Sequence, residues 1–393
     1  CSLDWSKVSP ALFGSLFQTV LDINEQRDEG AHYTSEKNIL KTIKPLFLDY
    51  LYAKLQKLKD DRSTQKISRL KAFHEEISKL NFLDPACGCG NFLIVAYREL
   101  RVLEIEVFKE IYPSNQLQLD VNILSSVTVD QFYGVELNHF AVRIAKIAMW
   151  LVDHQMNQAL SDLYGISYTR IPIHDSGKII RENALTYDWK LLIDPKDCNY
   201  ILGNPPFVGP RFMTSEQKDN LLNLFSGVKG NGDLDFVSCW FLKASNFIDK
   251  SNTRVAFVST NSITQGEQVG ILWNELINNK KIDIFFAHRT FKWTIDEKRV
   301  SGMHIANVLV VIIGFNKNDK VKLKKIFDYK TISDDPEEII VEKINPYLLP
   351  TDNNFISKLT KQIDNYPEMK FGNMPIDGQN LLIDNDEYQE LSN

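Results

Sequence analysis

The 393-residue chain lacks any apolar run of membrane-spanning length, and no secretory leader is visible. A soluble, cytoplasmic protein is therefore expected. Its five cysteines show no two-pair metal spacing, which argues against a zinc module and against a disulfide scaffold. Net positive charge is also missing. Lys+Arg 45 against Asp+Glu 51 leaves −6, which excludes a wholly basic nucleic-acid binder but allows a local basic groove. Neither G-x-G-x-x-G nor G-x-x-x-x-G-K-[ST] occurs, which disfavours a nicotinamide dehydrogenase and a phosphate-loop nucleotidase. Repeats and low-complexity linkers are absent. The chain begins at Cys1 rather than Met and stops in polar sequence, as a fragment would.

What is present is 44% hydrophobic and 24% charged, enough for a sizeable core and one large domain with appendages. Residues 8–24 have helical apolar spacing, and a second helix is expected from Glu36, capped by Thr34 or Ser35. Residues 50–80 read as amphipathic, solvent-facing helices. Short strands are expected at residues 81–83, 131–136, 178–180 and 200–202, separated by helices over residues 92–107 and 139–155. Strands at 254–259, 281–286 and 307–315 follow. This alternation predicts an α/β fold, a doubly wound, mostly parallel sheet, in which ligands sit beyond the carboxyl ends of the strands. The lysine-rich stretch 316–325 reads as a soluble sheet edge, and the chain from Ile332 onward as acidic and loop-rich.

Two segments carry chemistry. Asp84-Pro85-Ala86-Cys87-Gly88-Cys89-Gly90-Asn91-Phe92 joins a strand to a helix through a glycine loop. There backbone amides and a helix N-terminus can receive polar ligand atoms. Asp84 can attract a cationic amino group, and Glu136, ending the next strand, can accept from both hydroxyls of a ribose. Cys87 and Cys89 read as small packing residues, not metal ligands. The second segment is Gly203-Asn204-Pro205-Pro206-Phe207. An exocyclic amine is a poor nucleophile because its lone pair is delocalised into the ring. Two acceptors, the Asn204 side-chain oxygen and the Pro205 carbonyl, would localise that pair. The prolines hold the loop rigid, and Phe207 offers a face for an extruded base. Together the segments predict methyl transfer from S-adenosylmethionine to a base amine, with no metal.

These residues resemble the class I DNA adenine-N6 methyltransferases of the γ arrangement, and more narrowly the MmeI-like restriction-modification enzymes. The narrower likeness is carried by residues 30–47, residues 83–100 and the late Gly372-Asn373-Met374-Pro375-Ile376-Asp377-Gly378. The resemblance implies a Rossmann-like methyltransferase fold with an N-terminal helical extension. It implies a helical lead-in at 1–28, a methyltransferase domain at 29–330 with a helical insertion at 50–80, and from 331–393 the lead-in to a truncated target-recognition domain. Cofactor contacts are implied for Tyr33, Thr34, Asp84, Ala86, Cys87, Gly88, Gly90, Asn91, Phe92, Glu136, Leu137, Asn183 and Ala184. Asn183 stands where many members carry Asp, and Cys89 where Ser is usual. Phe291 and Trp293 are expected either to line the far side of the target-base pocket or to pack in the core. The implied partner is double-stranded DNA in a bacterial cytoplasm, at the nucleoid. An upstream nuclease and a downstream recognition domain are expected in the parent chain. Glu216-Gln217-Lys218 matches an E-x-K nuclease pattern but reads as helix surface. The alternatives are N-methylation of a protein glutamine or of RNA, and a non-catalytic cofactor-binding module of a restriction complex.

Overall fold

The computed structural model describes residues 35–113, 125–165, 178–293, 308–317, 323–332 and 334–356. Tyr33, Thr34, the 1–28 lead-in and the late segment 372–378 lie outside the described residues. Among those described, nine strands form one sheet. They are β1 (Phe82–Asp84), β2 (Phe132–Glu136), β3 (Lys178–Arg181), β4 (Tyr200–Gly203), β5 (Arg254–Thr260), β6 (Asp283–Trp293), β7 (Val308–Asn316), β8 (Lys324–Asp328) and β9 (Glu337–Val341). Their order is β3-β2-β1-β4-β5-β7-β6-β8-β9. The first five pair in parallel. β7 then inserts antiparallel between β5 and β6, so β6 runs in the same direction as β5. The sheet is mostly parallel, as expected, and its order reverses at β1, between β2 and β4.

Side chains on successive strand positions enter opposite cores, as the pleat requires. Phe82, Phe132 and Leu202 face one core, while Leu83, Tyr133 and Ile201 face the other. The first core is covered by helices. These are α1 (Glu36–Ile43), α2 (Asp49–Lys59), α3 (Lys66–Ile77), α4 (Asn91–Ile111) and α5 (His139–Tyr164). Leu51, Leu55, Leu70, Phe73 and Ile77 are all buried in it. The helices of residues 50–80 are therefore part of this layer, with their mostly charged outer faces in water. Between α1 and α2 the backbone widens into a π turn over Lys44–Leu48, where the Asp49 N–H donates to the Lys44 carbonyl five residues back. Pro45 lies in this turn and has no N–H with which to continue an α-helical ladder. The second core is covered in part by α6 (Ser215–Leu224) and α7 (Ser238–Phe247).

The first helical layer contains a buried polar network. Arg101 is 1% exposed and Glu104 0%. The Arg101 guanidinium donates to the Tyr97 hydroxyl (2.7 Å) and Asn157 Oδ1 (2.8 Å), and lies 3.3 Å from Asp153 Oδ1 and 3.0 Å from Glu104 Oε2. Glu104 also accepts from Ser125 Oγ (2.8 Å) and the amides of Ser126 (2.9 Å) and Val127 (3.0 Å), and pairs with His74 Nε2 at 2.7 Å. Burial alone would raise the Glu104 carboxyl. The His74 hydrogen bond and the Arg101 and His74 charges outweigh that and hold it below 4.5.

Two expectations need correction. Lys324 and Lys325, at the end of the lysine-rich stretch, do not sit at a sheet edge. β8 lies between β6 and β9, and Lys324 is 7% exposed, its ammonium 2.6 Å from Asp283 Oδ2. β6 does not stop at Phe286 but continues through a register shift between His288 and Phe291 to Trp293. The described chain beyond Ile332 is loop-rich, with Glu337–Val341 forming β9.

Candidate active site

The site is assembled at the carboxyl ends of β1, β2 and β4, where the strand order reverses. Asp84 closes β1 at 1% exposure, and the described residues give its carboxylate one hydrogen bond, from the Ala86 amide at 3.0 Å. Burial drives this carboxyl up to about 8. The Ala86 amide partly opposes the shift and the negative charge of Glu136 adds to it. At neutral pH the group is predominantly a neutral acid, poised to ionise when a cation arrives.

The loop after β1 turns tightly, with the Gly90 N–H donating to the Cys87 carbonyl at 2.8 Å. Gly90 has φ of 84°, and an added Cβ would lie 3.1 Å from the Ala145 Cβ on α5. Both facts require glycine. Behind the loop, burial pushes the Cys89 thiol up to about 12, with the Glu136 charge adding, and pushes the Cys87 thiol well above its usual value, with the Asp84 and Glu136 charges adding. Neither is a thiolate at neutral pH. Among the described residues no three His, Cys, Asp or Glu side chains gather as a metal site.

Glu136 ties the two loops together. Its Oε2 accepts from the Gly88 amide at 2.9 Å and its Oε1 from the Asn138 amide at 2.8 Å. These two amides fix the aim of the carboxylate between the loops. Leu137 beside it is 61% exposed, an apolar surface at the cleft. Asn183 follows β3. Its Oδ1 accepts the Leu185 amide at 2.9 Å, making a local turn, so its amide NH2 is the group most available to a ligand. Ala184 is buried beside it.

The Asn204 loop abuts the Asp84 loop. A Cβ added at Gly203 would come within 2.6 Å of Asp84 Oδ1, so only glycine lets the two strand ends lie this close. Pro205 is buried, Asn204, Pro206 and Phe207 are half-buried, and Phe207 packs at the margin of both cores. The far end of the loop is pinned where the Phe236 amide donates to the Val208 carbonyl at 2.9 Å.

Phe291 and Trp293 sit at the carboxyl end of β6, level with the end of β5, because Phe291 registers with Val310 and Val310 with Thr260. They are 2% and 3% exposed. Phe291 stacks on Tyr329 at 5.0 Å, and the Lys41 ammonium lies 5.0 Å from its ring centre. Tyr329 bonds His288 Nδ1 (2.8 Å), whose Nε2 meets the Lys41 carbonyl (3.0 Å). Burial, with the Lys41 charge, pushes His288 down to about 3, so it is neutral.

Sequence reasoning missed the supports of this site. The Lys243 ammonium donates to the carbonyls of Leu185 (2.7 Å) and Tyr187 (2.6 Å), holding the Asn183 turn against α7. Trp240, on the same helix, donates from Nε1 to the Pro85 carbonyl at 3.1 Å. Asp235 lies beneath Gly209 and accepts from Thr260 Oγ1 at 3.2 Å and from Ser262 Oγ. No local spacing marks these residues, because each acts on a loop far away in sequence.

A nucleoside cofactor with a cationic tail fits these residues. The Asn91 side-chain oxygen, at the start of α4, is buried with no hydrogen-bond partner among the described residues. Around the position where a Gly88 Cβ would stand there is no atom within 4 Å. These strand ends thus offer a buried acceptor, a carboxylate aimed by two amides and an apolar surface.

Comparison with known proteins agrees with this geometry. The chain is 39% identical to DNA methyltransferase A of Bacillus subtilis over its whole length, which is 42% of that protein. It is 27% identical over 168 residues to a putative type II restriction enzyme and methyltransferase of Methanocaldococcus jannaschii, covering 37% of this chain and 14% of that one. Among solved structures, the type IIL restriction-modification enzyme MmeI in complex with DNA superposes with a TM-score of 0.90 at 46% identity, over 100% of this chain and 51% of the other. The chain thus spans about half or less of the length of these relatives. The family profile of the MmeI DNA-methyltransferase domain matches residues 57–328. With its 3-2-1-4-5-7-6 strand order and the joined Asp84 and Asn204 loops, this chain belongs to the MmeI DNA-methyltransferase domain family.

Proposed function

We propose that this chain transfers a methyl group from S-adenosylmethionine to the exocyclic N6 of an adenine extruded from double-stranded DNA. It would do so as the modification part of a restriction-modification enzyme working on the bacterial nucleoid. The reading rests above all on one adjacency, the contact of Gly203 with Asp84, which sets the Asn204 loop beside the cofactor loop. When bound, the cofactor supplies an activated methyl on a sulfonium. Asp84 would hold its amino group, Glu136 its ribose, and Leu137 with Asn183 and Ala184 its adenine. Tyr33 and Thr34 are proposed at its methionine end.

The chain's own residues then do the positioning. The Asn204 side-chain oxygen and the Pro205 carbonyl accept the two amine hydrogens and turn the lone pair toward the methyl. Phe207 stacks on the base from one side. The proton displaced from the amine leaves after the new N–C bond has formed, so no strong base is required. Phe291 and Trp293 would act through the shape of the pocket wall, braced by Tyr329 and Lys41. The domain limits 29–330 and 331–393 are proposed on the same grounds.

The test is Asn204→Ala with a labelled methyl donor on DNA, RNA and protein. Transfer to adenine should fall by about 10²–10³ or more, as when a preorganised polar group is removed from a reacting centre, while cofactor affinity stays within about threefold. Equal loss of binding would make the loop structural. Label on cytosine, RNA or glutamine in the wild type would reject the substrate.

A further inference from the structure

Resting on that reading, we propose that Phe212 is a wedge that enters the DNA duplex beside the extruded base, with Arg211 on the neighbouring phosphate. Phe212 is 84% exposed, the most exposed large apolar side chain among the described residues. A single exposed aromatic is unremarkable by itself. Its setting makes it different.

It stands five residues after Phe207, on the loop that leaves the catalytic segment. The loop is held on both sides. The Phe212 N–H donates to the Gly209 carbonyl at 3.0 Å, and Val208 and Met213 are both buried in the second core. Immediately behind it α6 begins with a capping box, in which the Gln217 amide donates to Thr214 Oγ1 (3.2 Å) and the Thr214 amide to Gln217 Oε1 (3.0 Å). The aromatic is thus carried outward on a braced tip. Arg211 and Lys218, before and after it, are exposed and have no ion-pair partner among the described residues, although lysines elsewhere in the chain are repeatedly paired.

Extruding a base leaves a gap into which the flanking pairs can collapse. An apolar side chain inserted between base steps prevents that. Phe212 also sheds its water-exposed surface when it enters the stack, and an adjacent guanidinium suits a phosphate oxygen. Because the tip belongs to the same loop as Phe207, the wedge and the base-stacking face arrive together.

The experiment compares wild type, Phe212→Ala and Phe212→Leu in the full-length enzyme. The substrate is a short duplex carrying the site found methylated in host DNA, either fully paired or with an abasic site opposite the target adenine. Phe212→Ala should lower kcat/KM on the paired duplex by roughly tenfold or more, the scale of one base–aromatic stack. It should also abolish the fluorescence rise of 2-aminopurine at the target position, and recover nearly to wild type on the abasic duplex, where extrusion is easy. Phe212→Leu should keep most of the activity. Unchanged kcat/KM in Phe212→Ala, or an equal loss on both duplexes, would overturn the wedge. A wild type that transfers no methyl to adenine in either duplex would instead overturn the proposed function itself.

Discussion

Two acids in this molecule are equally buried and behave oppositely. Glu104, in the helical layer, is 0% exposed and held by His74, Arg101, Ser125 and two backbone amides, and its carboxyl sits below its usual value. Asp84, at the end of β1, is 1% exposed with one amide donor, and its carboxyl rises to about 8. Burying a charge is costly unless it is paired and hydrogen-bonded. The helical network meets that cost within the fold and is closed. The strand end does not, so it stays protonated until something cationic completes it. Burial alone therefore does not mark a site, whereas burial with too few partners does.

The comparison can be broken first at Glu104. Glu104→Ala removes one of the two carboxylates that pair with buried Arg101 and strips His74 of its partner, and should cost about 3–5 kcal/mol of stability. Its folded value lies below the unfolded 4.5, so the wild type keeps this contribution above pH 4.5 and loses it as pH falls through the folded value. The variant should lack that acid-side loss in chemical denaturation. A small effect on stability would mean the network is not closed.

Asp84→Asn should do the reverse. The folded value lies above the 3.8 of a free carboxyl, so the stability this group gives is present below pH 3.8 and declines as pH rises toward 8. The variant should lack that decline, yet bind S-adenosylmethionine on the order of tenfold or more weakly, the scale of a lost charge-assisted contact. Wild-type binding at pH 7 should release a proton, seen as buffer-dependent heats in calorimetry, and Asp84→Asn should not. Identical heats in both proteins would remove Asp84 from the cofactor.

Glu136→Ala sharpens the contrast, because Glu136 holds the Gly88 and Asn138 amides and is also the proposed ribose contact. A loss of roughly tenfold in cofactor affinity with about 1 kcal/mol in stability is expected. The smallest effect should be that of Lys243→Met, which frees the Asn183 turn. A severalfold rise in cofactor Kd is expected, on the scale of one hydrogen bond, and unchanged affinity would make Lys243 a support of the turn alone.

Much of this was legible in the sequence where chemistry and local structure coincide. The two loops could be read because glycine, proline and a terminal acid are confined to strand ends by their own backbone limits. The parallel half of the sheet could be read from the strand–helix alternation. The helical network was hidden, since Arg101 and Glu104 look like surface residues in any periodicity count. β9 was hidden because Glu337–Val341 buries little and is held by backbone bonds to β8. The burial of Lys324 depends on Asp283, 41 residues away. The wall formed by Phe291, Tyr329 and Lys41 depends on a contact spanning 288 positions between Lys41 and Tyr329.

The π turn at Lys44–Leu48 carries a consequence for how this family can change. Such a turn holds one more residue than the same stretch of α-helix. Removing a single residue there would let the helix regain regular pitch with the turns upstream nearly in phase, whereas removing one from the regular turns of α2 would spin everything upstream by about 100° about the axis. Lys41 would swing off the ring of Phe291, and Ser35 would point elsewhere. The π turn is thus a place where this stretch can lose or hold one residue while Lys41 keeps its position over Phe291.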